Sequence, residues 1–188
     1  MEEPTMRVIT GTARGTVLKT PAGMQTRPTA ERVKEALFSA LHYDLHGMHD
    51  LDLFAGTGQL GIEALSRGAA HCVFVDARPD AAALVQENLR RAKLESAARV
   101  VRSDAFAFLS ACRAKFDCIL LDPPYAGQIL ENALTRISEI DILEEHGIII
   151  AESPADKALP GRFGPLAACK TRRYGQILLT EFRHESAR

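Results

Sequence analysis

From about residue 50 onward the sequence alternates between short apolar runs and longer amphipathic stretches, and this alternation constrains the fold most. Short apolar runs bounded by turn residues predict buried strands, and the periodic stretches between them predict helices. Strands joined through helices form a parallel sheet with helices on both faces. The predicted strands are 51–55, 72–76, 99–102, 116–121 and 147–152, and the predicted helices are 59–67, 79–93, 105–111 and 128–138.

The two ends of the chain depart from this alternation. Near the amino terminus, β-prone runs at 6–10 and 15–19 predict a hairpin or a pair of short strands. Near the carboxyl terminus, runs at 166–174 and 176–182 meet at Gly175 and predict an antiparallel hairpin at one edge of the sheet. A further helix is predicted from Pro28 onward, because apolar side chains recur on one face: Val33, Ala36, Leu37, Ala40 and Leu41.

Together these elements predict a single α/β domain with three layers, in which helices cover a mostly parallel, seven-stranded sheet. A chain of 188 residues is an ordinary size for one such domain. We expect residues 1–45 to form a small extension, a β-hairpin plus a helix, and residues 46–188 to form the core.

Composition narrows the class of protein. Hydrophobic residues make up 46% and charged residues 25%, and no apolar run approaches the roughly 20 residues that span a bilayer. The acidic start, Met1-Glu2-Glu3-Pro4, lacks the apolar stretch of a secretory signal. The four cysteines are scattered without a C-x-x-C pair, which argues against zinc and against a disulfide framework. We therefore expect a cytoplasmic protein with no metal and no membrane partner.

Acidic residues mark the ends of four successive predicted strands. They are Asp52, Asp76, Asp104 and Asp122. The carboxyl ends of parallel strands meet at one edge of a sheet, and ligands of α/β proteins bind outside that edge. The sequence therefore predicts a ligand site there.

A glycine-rich segment, Gly56-Thr57-Gly58-Gln59-Leu60-Gly61, follows the first of these strands and opens a helix. With Asp76 at the next strand end, the pattern is typical of dinucleotide binding. Asp52, however, would repel a pyrophosphate and would suit a ligand ammonium. A ligand with an amino acid at one end and adenosine at the other, S-adenosylmethionine (SAM), satisfies both features.

The tetrapeptide Asp122-Pro123-Pro124-Tyr125 follows the fourth strand of this series. Two prolines forbid helix and ladder pairing, so the backbone stays extended and its carbonyls stay free. A carboxylate, a fixed carbonyl and an aromatic ring suit a planar base that carries an amino group. The sequence therefore predicts an acceptor site beside the glycine loop.

Several segments resemble the RsmD family of class I SAM-dependent methyltransferases, and the resemblance covers nearly the whole chain. They are RPTAERVKEALF at 27–38, DLFAGTGQLGIEALSRG at 52–68, Ser103-Asp104-Ala105, the tetrapeptide at 122–125, Glu152-Ser153 and Tyr174-Gly175. Enzymes of that family methylate a guanine N2 in bacterial 16S ribosomal RNA. The resemblance implies a Rossmann-like class I methyltransferase fold and SAM as the cofactor.

The resemblance also implies roles for individual residues. Asp122 and the Pro123 carbonyl would hold the amine, Pro124 would keep the loop rigid, and Tyr125 would stack on the base. The cofactor would contact Asp52, Phe54, Ala55, Gly56, Thr57, Gly58, Asp76, Ala77, Ser103, Asp104 and Ala105.

Charge is distributed unevenly along the chain. The net charge is −1, but residues 1–34 carry six basic side chains against three acidic ones. Local patches matter more than net charge for binding a polyanion. We predict phosphate contacts from Arg7, Arg14, Arg27, Arg32 and Lys34. The resemblance implies 16S rRNA, within an assembling or assembled small ribosomal subunit, as the partner, and we expect the protein to act as a monomer.

Three other interpretations remain open at this stage. Adenine N6 presents the same amine as guanine N2, so an adenine-N6 DNA or RNA methyltransferase would use the same motif. A non-catalytic protein that binds SAM or RNA would not need the Asp122 carboxylate. An oxidoreductase that binds a dinucleotide would use the glycine loop but not the tetrapeptide.

Overall fold

The computed structural model describes residues 6–21, 34–35, 37–38, 45–124 and 128–187. Its centre is one eight-stranded sheet with the strand order β3-β2-β1-β4-β5-β8-β7-β6. The first five strands pair in parallel, whereas the last three pair antiparallel. The strands are β1 (His49–Asp52), β2 (His71–Asp76), β3 (Ala98–Arg102), β4 (Phe116–Leu121), β5 (Leu143–Pro154), β6 (Arg162–Phe163), β7 (Leu166–Tyr174) and β8 (Ile177–His184).

Helices cover both faces of the sheet, which confirms the predicted three-layer α/β class. They are α1 (Gln59–Ser66), α2 (Pro79–Ala92), α3 (Ala105–Ala111) and α4 (Ile129–Ile140). Each face of the sheet carries its own apolar core, and successive side chains of β5 enter the two cores in turn. Ile148 and Ile150 pack with α1 and α2, whereas Ile149 and Ala151 pack with α3 and α4. Among the described residues no helix has the length and apolar character needed to cross a bilayer.

All four helices form where the sequence predicts to within two residues, and local signals explain the bounds of three of them. Helix α2 begins with Pro79, whose fixed φ suits a first helical position. Helix α3 is capped by Asp104, whose carboxylate accepts hydrogen bonds from the N–H groups of Phe106 (2.9 Å) and Ala107 (3.1 Å). Helix α4 buries Leu130, Ala133, Leu134 and Ile137, an i, i+3, i+4, i+7 pattern.

The sheet has eight strands, so the prediction of seven was wrong. The additional strand β6 has two residues and pairs only with β7, which is too short to leave an alternation in the sequence. Strand β5 begins at Leu143 rather than at 147, because residues 144–146 are exposed and polar and hide the strand pattern. Strand β1 spans His49–Asp52 rather than 51–55, because the backbone leaves the ladder to form the glycine loop.

The amino-terminal segment, residues 6–19, forms the predicted hairpin in a minimal form, in which an antiparallel bridge joins Arg7 and Val17 and the Leu18 N–H donates to the Met6 carbonyl at 2.8 Å. Its inward side chains, Met6, Val8, Ala13 and Leu18, join the core on the α1 and α2 side of the sheet. The predicted helix after Pro28 lies largely outside the described residues. Within it, residues 34, 35, 37 and 38 are helical, and Leu37 is buried as predicted.

A buried carboxylate on α1 holds the amino-terminal segment in place. The Glu63 side chain has no exposed surface, and its oxygens accept hydrogen bonds from the N–H groups of Ile9 (2.8 Å) and Thr10 (3.0 Å). Arg67 pairs with Glu63 at 2.9 Å, and the Lys34 ammonium lies 3.6 Å from it. Two cations and two main-chain donors thus balance one desolvated charge.

Ser66 continues this attachment one turn further along α1. Its hydroxyl accepts from Ala13 N–H (2.9 Å) and donates to the Thr10 carbonyl (2.6 Å). Gly11 passes so close to the helix that a Cβ built there would lie 1.7 Å from the Ser66 carbonyl oxygen. Its φ of +88° also favours glycine, so two independent constraints require glycine at this position.

Replacing Glu63 by alanine tests how much the attachment contributes. We expect Glu63→Ala to lower the free energy of unfolding by about 3–5 kcal/mol, because the buried Lys34 ammonium loses its counter-charge. Urea denaturation measures this loss. Glu144→Ala, an exposed glutamate on β5, is the control and should change stability by less than about 0.5 kcal/mol. Equal losses in the two variants would contradict the anchoring role.

A second buried acid, Asp50 on β1, lies beneath the same helical layer. Both carboxyl oxygens lack a hydrogen-bond partner within the described part of the chain. Burial, and then the negative charges of Asp117 and Asp52, raise the pKa of Asp50 from 3.8 to about 8. Asp50 is therefore protonated in the folded protein at neutral pH.

The raised pKa of Asp50 predicts an unusual dependence of stability on pH. Protonated Asp50 contributes to the free energy of unfolding. This contribution is fully present below pH 3.8 and is lost as the pH rises towards 8, because the Asp50 carboxyl of the unfolded chain releases its proton at a lower pH than that of the folded protein. Relative to Asp50→Asn, the wild type should lose up to about 1.4 kcal/mol of stability per pH unit across this window. Urea denaturation at several pH values between about 5 and 9 measures the difference. Parallel profiles for the two proteins would refute the assignment.

Candidate active site

Three carboxylates meet at the carboxyl ends of the parallel strands. Asp52 ends β1, Asp76 ends β2, and Asp122 directly follows β4. Burial, opposed by a hydrogen bond from Gly61 and reinforced by the charges of Asp122 and Asp76, raises the pKa of Asp52 from 3.8 to about 7. Burial also raises the pKa of Asp122 to about 6. Desolvated acids that repel one another create a site that favours a bound cation.

Two of these carboxylates also fix the glycine loop. The Asp52 carboxylate accepts from the Gly61 N–H at 3.0 Å, and the Asp76 carboxylate accepts from the Gly56 N–H at 2.9 Å. Gly56 and Gly58 adopt positive φ values of 56° and 77°, which glycine tolerates without strain. A Cβ on Gly61 would lie 2.3 Å from the Phe74 ring, so glycine there allows α1 to pack closely on β2.

The second half of the predicted cofactor site lies along the ends of β2 and β3. The Ser103 N–H donates to the Asp76 carbonyl at 3.1 Å, which joins the two strand ends. Asp76 also accepts from the Arg78 N–H at 2.9 Å. Ala77 is exposed beside it, and Ala105 is buried at the start of α3. Asp104 caps α3, and its contact with the adenine of the cofactor stays a prediction.

The sequence interpretation missed Asn88, which joins the amino-terminal segment to the glycine loop. Its amide accepts from the Lys19 N–H (2.7 Å) and donates to the carbonyls of Lys19 (3.0 Å) and Thr57 (2.9 Å). Asn88 has no exposed surface, so these bonds satisfy a group that would otherwise be costly to bury. An asparagine within the apolar face of α2 was the signal available in the sequence.

The acceptor side of the site begins where β4 ends. Asp122 is partly buried, Pro123 is buried, and Pro124 is exposed. Tyr125 lies outside the described residues, so its stacking role stays a prediction. Phe54 is half-buried and Ala55 buried in the segment that leads from β1 into the glycine loop.

The residues predicted to contact phosphates differ in their exposure. Arg7 and Arg14 are exposed on the amino-terminal segment, as contact with a polyanion requires, whereas Arg27 and Arg32 lie outside the described residues. Lys34 was predicted wrongly, because its side chain is only 2% exposed. Its ammonium donates to the Arg7 carbonyl at 2.6 Å and faces Glu63, so it acts as a buried structural cation.

The parallel sheet, the glycine loop after β1 and the Asp-Pro-Pro segment after β4 define the class I methyltransferase fold. Residues 6–183 match the family model described as conserved hypothetical protein 95, and the chain belongs to this family. The resemblance to the RsmD family is thereby confirmed.

Individual relatives support the same conclusion. The chain is 45% identical over 173 residues to the Bacillus subtilis protein "Putative rRNA methyltransferase YlbH", covering 90% of this chain and 94% of that protein. It is 36% identical over 157 residues to "Ribosomal RNA small subunit methyltransferase D" of Haemophilus influenzae, covering 82% and 81%. The solved structure "Putative methyltransferase yhhF from Escherichia coli" superposes with a TM-score of 0.87 at 30% identity, covering 98% of this chain and 100% of that one.

The charge of the site fits SAM rather than a dinucleotide. SAM carries an ammonium and a sulfonium cation, which Asp52 and its neighbours would stabilise, whereas the pyrophosphate of a dinucleotide would add negative charge to a site already rich in it. The glycine loop and the strand-end acids are the residues that would hold it. Among the described residues no group of three or more potential ligands is placed to hold a metal ion.

Cofactor affinity should therefore depend on the ionisation of Asp52. We expect SAM to bind up to about tenfold more tightly at pH 8 than at pH 6, because the pKa of Asp52 is about 7 and only its ionised form attracts the ammonium. Calorimetric titrations measure this. Asp52→Asn should bind weakly and flatten the profile, whereas Asp141→Asn, an exposed control at the end of α4, should retain it. Identical profiles for wild type and Asp52→Asn would contradict the assignment.

Proposed function

We propose that this protein is a SAM-dependent methyltransferase that modifies the exocyclic N2 amine of a guanine in small-subunit (16S) ribosomal RNA. The observation that carries the proposal is the position of Asp122 and Pro123 at the end of β4, beside the glycine loop that follows β1. The names of the relatives, which include small-subunit rRNA methyltransferases, support the same substrate class.

The acceptor residues suit a weakly nucleophilic amine. In guanine the N2 lone pair is delocalised into the ring, so the nitrogen is planar and reacts poorly. The Asp122 carboxylate and the Pro123 carbonyl can each accept one N–H, which favours a tetrahedral nitrogen with an available lone pair. Bound SAM supplies an activated methyl group on its sulfonium. Holding the reacting atoms at close range can supply about 7–11 kcal/mol of the barrier reduction in well-oriented cases.

The ionisation of Asp122 matches this role. Burial raises its pKa to about 6, so the carboxylate is mostly ionised at neutral pH and can accept hydrogen bonds. The same shift makes it a better base than an exposed carboxylate when the methylated amine must lose its proton. Asp122 thus serves as hydrogen-bond acceptor first and as proton acceptor afterwards.

Recognition of the RNA is assigned to residues 1–45 and to the acceptor loop. Arg7 and Arg14 project from the amino-terminal segment, and with Arg27 and Arg32 they would contact phosphates. Tyr125 would stack on the target base, an interaction worth roughly 1–3 kcal/mol. A guanine in a helix must first unpair to reach the site. The protein is expected to act as a monomer on a small ribosomal subunit.

Transfer of a labelled methyl group tests the proposal. Purified protein would be incubated with methyl-labelled SAM and either unmodified small ribosomal subunits, naked 16S rRNA, duplex DNA or total protein. We expect label as N2-methylguanosine from one of the two RNA substrates. Label as N6-methyladenine would overturn the substrate assignment, and no transfer despite SAM binding would favour a non-catalytic binding protein.

Variants of Asp122 test the mechanism in the same assay. Asp122→Ala should lower kcat at least ~100-fold, because the amine loses both its acceptor and its base. The wild-type kcat should rise as the pH increases through about 6, the pKa of Asp122, and Asp122→Asn should lack this rise. Asp141→Ala serves as the exposed control and should behave as the wild type. Retention of the pH-dependent rise in Asp122→Asn would assign the base to another group.

A further inference from the structure

A cleft opens beside the acceptor residues at the carboxyl end of β5. Pro123 and Pro124 form one wall, Leu130 of α4 contributes apolar surface, and the lining includes four polar or charged residues: Glu131, Glu152, Ser153 and Lys157. The chemistry proposed above would place a base against the same two prolines. The following inference rests on that proposed function and concerns how the base is identified.

Ser153 is the first indication that this cleft binds a polar ligand. Its side chain is only 2% exposed, and within the described residues its hydroxyl has no hydrogen-bond partner. Ala151, two residues earlier on the same face of β5, packs into the apolar core. An unpaired hydroxyl in such a position lowers stability, and a ligand atom that pairs with it would remove the cost.

Two of the charged residues, Glu152 and Lys157, are neighbours of Ser153 on one side of the cleft and have opposite charges. Glu152 is a hydrogen-bond acceptor when ionised, and a carboxylate has about four lone-pair sites, so contacts elsewhere leave capacity for a ligand. Lys157 is exposed and is a donor, and its backbone N–H closes a turn onto the Pro154 carbonyl at 3.0 Å. An acceptor and a donor are therefore available at the edge of one cleft.

Guanine and adenine present different hydrogen-bonding groups to a neighbouring carboxylate and ammonium. Next to the N2 amine, guanine offers the N1–H donor and then the O6 acceptor. Next to the N6 amine, adenine offers the N1 acceptor on one side and the N7 acceptor on the other, and a carboxylate would repel either. A carboxylate followed by an ammonium therefore matches guanine and rejects adenine once the amine is held by Asp122.

We propose that the cleft is a base-reading site, in which Glu152 accepts from guanine N1–H, Lys157 donates to O6, and the Ser153 hydroxyl pairs with another polar atom of the bound nucleotide. This site supplies the discrimination that the Asp-Pro-Pro segment lacks, because that segment recognises only an amine. Contacts of this kind discriminate by about 5–150-fold each.

Kinetics of matched variants test the site. Glu152→Gln and Ser153→Ala should each lower kcat/KM for unmodified small ribosomal subunits about tenfold or more, while calorimetric SAM affinity stays unchanged. The controls are Glu144→Gln, exposed on the same strand, and Ser110→Ala, exposed on α3. Urea denaturation should show Ser153→Ala at least as stable as the wild type, because the change removes an unpaired hydroxyl. A loss of activity without a loss of stability separates base reading from a structural role.

A binding measurement that needs no turnover separates this inference from the proposed function. Ligand-detected NMR with guanosine and adenosine monophosphates, in the presence of S-adenosylhomocysteine, should show a preference for guanosine that Glu152→Gln abolishes. If the wild type methylates guanine but Glu152→Gln and Ser153→Ala match their controls, the cleft does not read the base and the proposed function stands. If guanosine is preferred without methyl transfer, the reading site stands and the proposed function fails. No preference for guanosine in the wild type would overturn the inference.

Discussion

The arrangement of the molecule depends on Glu63, a carboxylate with no exposed surface on the first helix after the glycine loop. It gathers two cations and two main-chain N–H groups, and so fixes the amino-terminal segment against α1. The loop before α1 is held by Asp52 and Asp76. The cofactor side and the predicted RNA side are therefore positioned by the same helix, and Asn88 joins them a second time through Thr57 and Lys19.

The site concentrates negative charge that folding alone would not favour. Asp52 and Asp122 are desolvated and close enough to raise the pKa of Asp52, and Asp76 adds to the same field. Natural proteins tolerate such unfavourable arrangements where a ligand relieves them. Asp50, two residues earlier on β1, is also buried, and its pKa is raised to about 8. Asp52 differs in accepting a hydrogen bond from the Gly61 N–H, which favours its ionised form, whereas both Asp50 oxygens lack a partner among the described residues.

Much of the fold followed from local patterns in the sequence, whereas several site residues did not. The alternation of apolar runs located β1 to β5 and the four helices to within a few residues, since burial on both faces leaves a local pattern. Lys34 was misassigned because its partner Glu63 lies far along the chain. Asn88 was missed for the same reason, because its partners are Lys19 and Thr57. Ser153 was noted only as part of a family motif, since its burial depends on α4 and the acceptor loop.

The amino-terminal segment is attached to α1 largely through main-chain atoms. Four backbone N–H groups of the segment donate to Glu63 or Ser66, namely those of Ile9, Thr10, Thr12 and Ala13. The side chains that accept in this attachment therefore belong to the helix. Exposed positions of the segment, such as Arg7 and Arg14, can therefore change while the attachment persists. Related proteins, or an engineer, could alter the surface that is predicted to contact RNA without rebuilding the cofactor site, which would separate the evolution of target choice from that of the reaction.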